Sequence, residues 1–190
     1  MRILIIIFFA INTVHAQSNL NKDLSRLFGN LPMDLPANEI ISIAGSSKNF
    51  KGHVHQHLEL AYSGIMLKTN FFNLKPDTCF IEIMHSSEEF PPDSLMAGFY
   101  FFVFDAGYSK ASSMEIKKEF DRIVKLFSAY FSSGIIKKEE GRENFFKFFK
   151  SETEVNPTLI LWIGEGEYGE RGCYSGKQCI KITYEMIKSD

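Results

Sequence analysis

The sequence predicts an α+β fold: a mainly antiparallel sheet covered by one long helix (about 112–133) and one or two short helices. Three observations predict it. Apolar and polar residues alternate from His53 to Tyr62, the period-two signature of a half-buried strand. Ile116, Phe120, Ile123, Val124, Phe127 and Phe131 fall on one stripe at helical spacing, behind a Ser112/Glu115 capping-box pattern. Short apolar runs at Thr78–His85, Met96–Asp105, Thr158–Ile163 and Cys179–Ile187 supply further strands, for about five to seven in all.

The N-terminus reads as an export signal. Arg2 gives a positive start, Ile3–Ile11 an apolar run, and Val14-His15-Ala16 small residues at −3 and −1, so the cut is expected after Ala16. The run is shorter than the roughly 20 residues of a membrane span, and no second such run follows. The expectation is therefore a signal peptide over 1–16 and a single domain over 17–190, exported to a bacterial periplasm or the extracellular space without stable membrane insertion. A lack of Asn-x-Ser/Thr acceptors leans toward the periplasm, since Asn156-Pro157-Thr158 has proline in the middle.

Further elements follow in order. Asn21–Phe28 reads as a short helix ended by Gly29. Leu31–Ala37, with Pro32 and Pro36, is extended, and Glu39–Ala44 is a strand. Along His53–Tyr62, Val54, Leu58, Leu60 and Tyr62 share one face and His53, His55, His57 and Glu59 the other. Ser63-Gly64 then makes a two-residue hairpin turn, which sets Leu60 against Leu67 and Glu59 against Lys68. Ser86–Ser94 is a polar loop. Met96–Asp105 is apolar on both faces, which predicts a central strand with layers above and below. Gly134 closes the long helix, and Gly141–Lys150 reads as a second helix carrying Phe145, Phe146, Phe148 and Phe149, although so short an aromatic run also suits a strand. No repeat is visible in the sequence.

Composition narrows the function classes. Lys+Arg number 21 against 23 Asp+Glu, with basic residues scattered among acids, which speaks against nucleic acid as a partner. Phenylalanine supplies 19 of 190 residues. Buried rings contribute about 2–3 kcal/mol each, so the enrichment suits a dense core and, alternatively, a carrier with an apolar ligand in its interior. Of three cysteines, Cys173 and Cys179 flank a five-residue loop and are expected to pair, while Cys79 is a buried, inert thiol.

Chemistry-bearing clusters are few. His53, His55 and His57 offer imidazoles on one strand face, where two adjacent rings could share Zn²⁺. Rings four residues apart are about 13–14 Å apart on a strand, so a site needs a further ligand such as His85, Glu82 or Glu59. No Gly-x-Ser-x-Gly elbow or Ser-x-x-Lys pair is present, which weighs against an enzyme without settling the matter. The acidic, glycine-rich loop from Gly164 to Gly172 fails as a phosphate cradle for want of a following helix. With Tyr168, Arg171 and Tyr174 it suits a recognition loop instead. The sequence thus points to an exported, non-catalytic binding protein that recognises or neutralises another protein, with no cofactor beyond the possible zinc. A metal-binding protein and an apolar-ligand carrier are the alternatives.

Overall fold

The computed structural model describes residues 19–55, 60–85, 99–131, 134–136, 144–149, 158–165 and 178–187. Helix α1 covers 19–27 and α2 Ala37–Ser46. Strands β1 (Phe50–Val54), β2 (Leu60–Met66), β3 (Thr78–His85) and β4 (Phe99–Tyr108) follow. Helix α3 (Ser113–Ser128) leads to β5 (Gly134–Ile136), β6 (Phe145–Phe149), β7 (Leu159–Glu165) and β8 (Gln178–Ile187). The α+β class and the antiparallel sheet are as expected. Among the described residues the sheet has eight strands, in the order β1-β2-β3-β4-β8-β7-β6-β5.

That order sets two meanders back to back. A helical segment and a four-stranded meander occur twice, and the last strand of each meander pairs with the other, Phe99–Tyr108 against Gln178–Ile187 in unbroken antiparallel register. Among the described residues all three helices pack on one face of the sheet. Leu24, Leu27 and Phe28 of α1, Ile40 and Ala44 of α2, and Phe120, Ile123 and Phe127 of α3 join one core. The sheet contributes Tyr62, Ile81, Ile83, Phe102, Phe104, Ile180 and Ile182 to that same core. The alternation of β4 supplies Phe102 and Phe104 inward and Phe101, Val103 and Asp105 to the other face.

Several expectations are corrected. Glu39–Ala44 is helical, because Ile40, Ile41 and Ala44 bury one face of a helix while Glu39, Ser42 and Ile43 stay exposed. The described part of the expected second helix, Phe145–Phe149, is strand β6, where aromatic side chains fit a pleated surface and pair with Leu159–Trp162. Neither Asn21–Phe28 nor Phe145–Phe149 forms a layer on the far side of β4. The long helix is shorter than expected, with Ala129 as its C-cap and Gly134 already in β5. Its start is as read: Ser112 Oγ accepts from the Glu115 amide, and Glu115 accepts from the Ser112 amide. The Ser112 hydroxyl, which also donates to that carboxylate at 2.7 Å, and the Ser112 amide hold the Glu115 carboxyl below its ordinary range.

The hairpin also shifts. Ser63 and Gly64 lie inside β2, and the chain reverses between β1 and β2, so Val54 pairs with Tyr62 rather than sharing its strand. Leu60 lies opposite Met84, not Leu67. Gly52 and Gly64 face each other in this hairpin; a Cβ on Gly52 would meet the Tyr62 hydroxyl at 2.7 Å and one on Gly64 at 2.6 Å. The paired glycines therefore make room for the Tyr62 ring, which is fully buried.

Polar ties fasten the 67–77 segment and α1 to α3. Glu119, 5% exposed, accepts from the Asn73 amide at 2.9 Å and from Arg122 at 2.7 Å. Arg122 also donates to the Phe71 carbonyl at 2.9 Å and stands 5.3 Å from the Phe71 ring centre. Tyr130 donates to Asp23 of α1 at 2.6 Å, and burial together with that carboxylate pushes its phenol up to about 12. Arg122→Ala strands the Glu119 carboxylate in the core. Urea unfolding should show a loss of about 2–3 kcal/mol, below the full range for a buried pair because the guanidinium keeps some contact with water. A loss under about 0.5 kcal/mol would show that Glu119 does not depend on it.

Candidate partner-binding edge

β1 is the outer strand of the first meander and pairs only with β2 among the described residues. The Leu67 amide bonds the Asn49 carbonyl at 2.8 Å. That bond fixes the alternation of the ladder: Lys51 and His53 exchange backbone bonds with β2, whereas Gly52 and Val54 turn theirs outward. After Phe50, every residue of the strand is exposed.

Side chains around this edge share two properties. They are apolar without being buried: Ile43 (36% exposed) on α2 and Val54 (48%) on β1 stand on the helix side, Ile65 (44%) stands on the other face of β2, and Leu67 (56%) follows β2. Elsewhere among the described residues, Met114 at the start of α3 is the remaining large apolar side chain so exposed. The edge is also basic. The described residues from 40 to 76 carry Lys48, Lys51, Lys68 and Lys75 and no carboxylate, in a chain whose formal charge is −2. Lys51 lies opposite Ile65, so a charge and an exposed apolar side chain alternate across the two strands.

Two depressions flank the Leu67-Lys68-Thr69 segment. One, of about 630 Å³, lies between that segment, Ser47–Asn49 and the end of α1. The other, of about 530 Å³, is bounded by residues 65–69 and 75–79. Asn49 forms the partition under the first: its amide donates to the Gly29 and Lys68 carbonyls, both at 3.1 Å. Gly29 and Asn30 take left-handed backbone angles (φ 67° and 68°) to end α1 there. Neither depression lies within the phenylalanine core.

The histidines stand on this same edge. His53 lies opposite Ser63, and the His55 Nε2 is 3.0 Å from the Ser63 hydroxyl. Glu82, 4% exposed, is the next residue along that row, opposite Ser63 on β3. Among the described residues no three His, Cys, Asp or Glu side chains are grouped to hold a metal ion; His57 lies outside them. Cys79 is a free thiol on the core side of β3, and burial pushes it up to about 12, which keeps it protonated and unreactive. Cys179 is engaged on β8. Cys173, Tyr168, Arg171 and Tyr174 lie outside the described residues, in the connection between β7 and β8. Residues 1–16, expected to be an export signal, and Ser86–Ser94, expected to be a loop, lie outside them as well. No helix among the described residues is long and apolar enough to cross a membrane.

No protein-family model, curated protein or solved structure matches this chain. The sequence signal for the edge was present but unread: the run from Ile40 to Pro76 has a single acid, Glu59, among four lysines and three histidines. The exposure of Val54, Ile65 and Leu67 had no such signal, because it depends on where the hairpin turns.

The geometry of the edge rests on the glycine pair. Gly52→Ala brings a Cβ to 2.2 Å from the Ser63 carbonyl oxygen, and thermal unfolding should register a loss of about 1–3 kcal/mol from overpacking. Tyr62→Phe removes a buried hydroxyl that has no hydrogen-bond partner and should be neutral or stabilising. The reverse ranking of the two variants would contradict this packing.

Proposed function

We propose that this chain is an exported binding protein that holds another protein rather than transforming a substrate. One observation carries the reading: exposed large apolar side chains stand on both faces of one sheet edge, Val54 on the helix face and Ile65 on the other, with Lys51 beside Ile65. Apolar side chains left exposed along an outer strand offer a partner surface to cover, and a basic surround selects an acidic partner and speeds encounter with it. Export is the compartment that the N-terminal pattern of Arg2, Ile3–Ile11 and Ala16 supports. A Cys173–Cys179 bridge belongs to the same reading; it is supported by Cys79 being free while Cys179 is engaged. That bridge would stiffen the Tyr168–Arg171–Tyr174 loop, which serves as a second contact and lowers the ordering cost of binding.

The test is capture of a partner from the extracytoplasmic fraction of the native host. Wild-type protein should retain one, and the double variant Ile65→Glu/Leu67→Glu should weaken retention at least tenfold while leaving stability within about 0.5 kcal/mol, as at exposed positions. Alanine at Tyr168, Arg171 or Tyr174 should each cost about 1–3 kcal/mol of affinity. Unchanged retention by both sets of variants would overturn the reading.

A further inference from the structure

We infer that the free edge of β1 accepts an extended segment of the partner as a ninth strand, and that this segment alternates acidic and apolar residues. The inference rests on the binding reading above and specifies its chemistry. Among the described residues nothing pairs with the outward backbone donors and acceptors of Gly52 and Val54, which is the template for strand addition. An added strand places successive side chains on opposite faces. On the face away from the helices its neighbours are Lys51 and His53, which favour Glu or Asp. On the helix face its neighbour is Val54, which lies against Gly45 of α2 and is half exposed; it favours Val or Ile.

Charge complementarity decides the occupant. A second copy of this chain would set Lys51 and His53 against the same basic groups, like charges side by side across a ladder. Natural sheets often guard an edge with lysine against self-pairing, and here the same lysine leaves the edge open to an acidic strand. Main-chain bonds supply affinity in this mode, and the alternating side chains supply selectivity.

The probe is the blocked peptide EVEVEVEV, compared with KVKVKVKV and with the period-shifted EEVVEEVV. The full protein should bind EVEVEVEV at least tenfold more tightly than either control. Binding should slow hydrogen exchange at the Gly52 and Val54 amides. Lys51→Glu should weaken binding of EVEVEVEV at least tenfold and strengthen that of KVKVKVKV. Equal affinity for EEVVEEVV, or no protection of Gly52 and Val54, overturns strand addition. So would a dimer joined through β1 by sedimentation, or Lys51-dependent retention on phosphatidylglycerol vesicles with no peptide binding. Loss of partner capture in Ile65→Glu/Leu67→Glu with no peptide binding removes strand addition and leaves the binding reading standing. Peptide binding with no captured partner does the reverse.

Discussion

The fold depends on a closed circuit of aromatic contacts on one side of the sheet. Phe28 at the end of α1 meets Phe104 of β4 at 6.2 Å, and Phe104 stacks on Phe72 at 5.6 Å. Phe72 meets Phe71 at 5.2 Å, and Phe71 stacks on Phe127 of α3 at 6.1 Å. Phe127 touches Tyr130, whose hydroxyl returns to Asp23 of α1, 107 residues away in sequence. Edge-to-face and offset arrangements add to the energy of burial alone. With the circuit closed, α1, α3 and the 67–77 segment have one common position over β4. The two meanders are then joined at their centre, and the outermost strand, β1, lies at the periphery of that core.

How much of this was legible in the sequence follows from where local and nonlocal forces agree. The capping box of Ser112 and Glu115 and the stripe through Phe127 need only local geometry, and both stand as read. So does β3, whose bounds Thr78 and His85 match the apolar run. The failures share a cause. Glu39–Ala44 and Phe145–Phe149 are short apolar runs that suit either period, and what settled them was their neighbour: the β1–β2 face for one and β7 for the other. The hairpin failed for a different reason. Ser63-Gly64 looks like a turn, but Gly64 is needed opposite Gly52 so that the Tyr62 ring can lie across both. A glycine that makes room for a ring across the ladder is indistinguishable in sequence from one that turns the chain.

The candidate site was half legible for the same reason. Its charge was in the sequence, in the lysines and histidines between Ile40 and Pro76. Its apolar component was not, since Ile65 and Leu67 have the composition of core residues and become exposed only because β2 sets Tyr62 and Met66 inward. The histidines were read for metal chemistry, yet the described pair lies at the rim of the same basic edge, one of them against Ser63.

Hydrogen exchange in the free protein is the most direct measurement of the account, because it reads the state of that strand residue by residue. A free outer edge in the register described predicts alternation: the Lys51 and His53 amides protected by β2, the Gly52 and Val54 amides exchanging near the rate of unstructured chain. The amides of β4 and β8 should be protected throughout. Uniform protection along β1 would contradict the account by showing that another part of the chain, or a second copy, already occupies the edge.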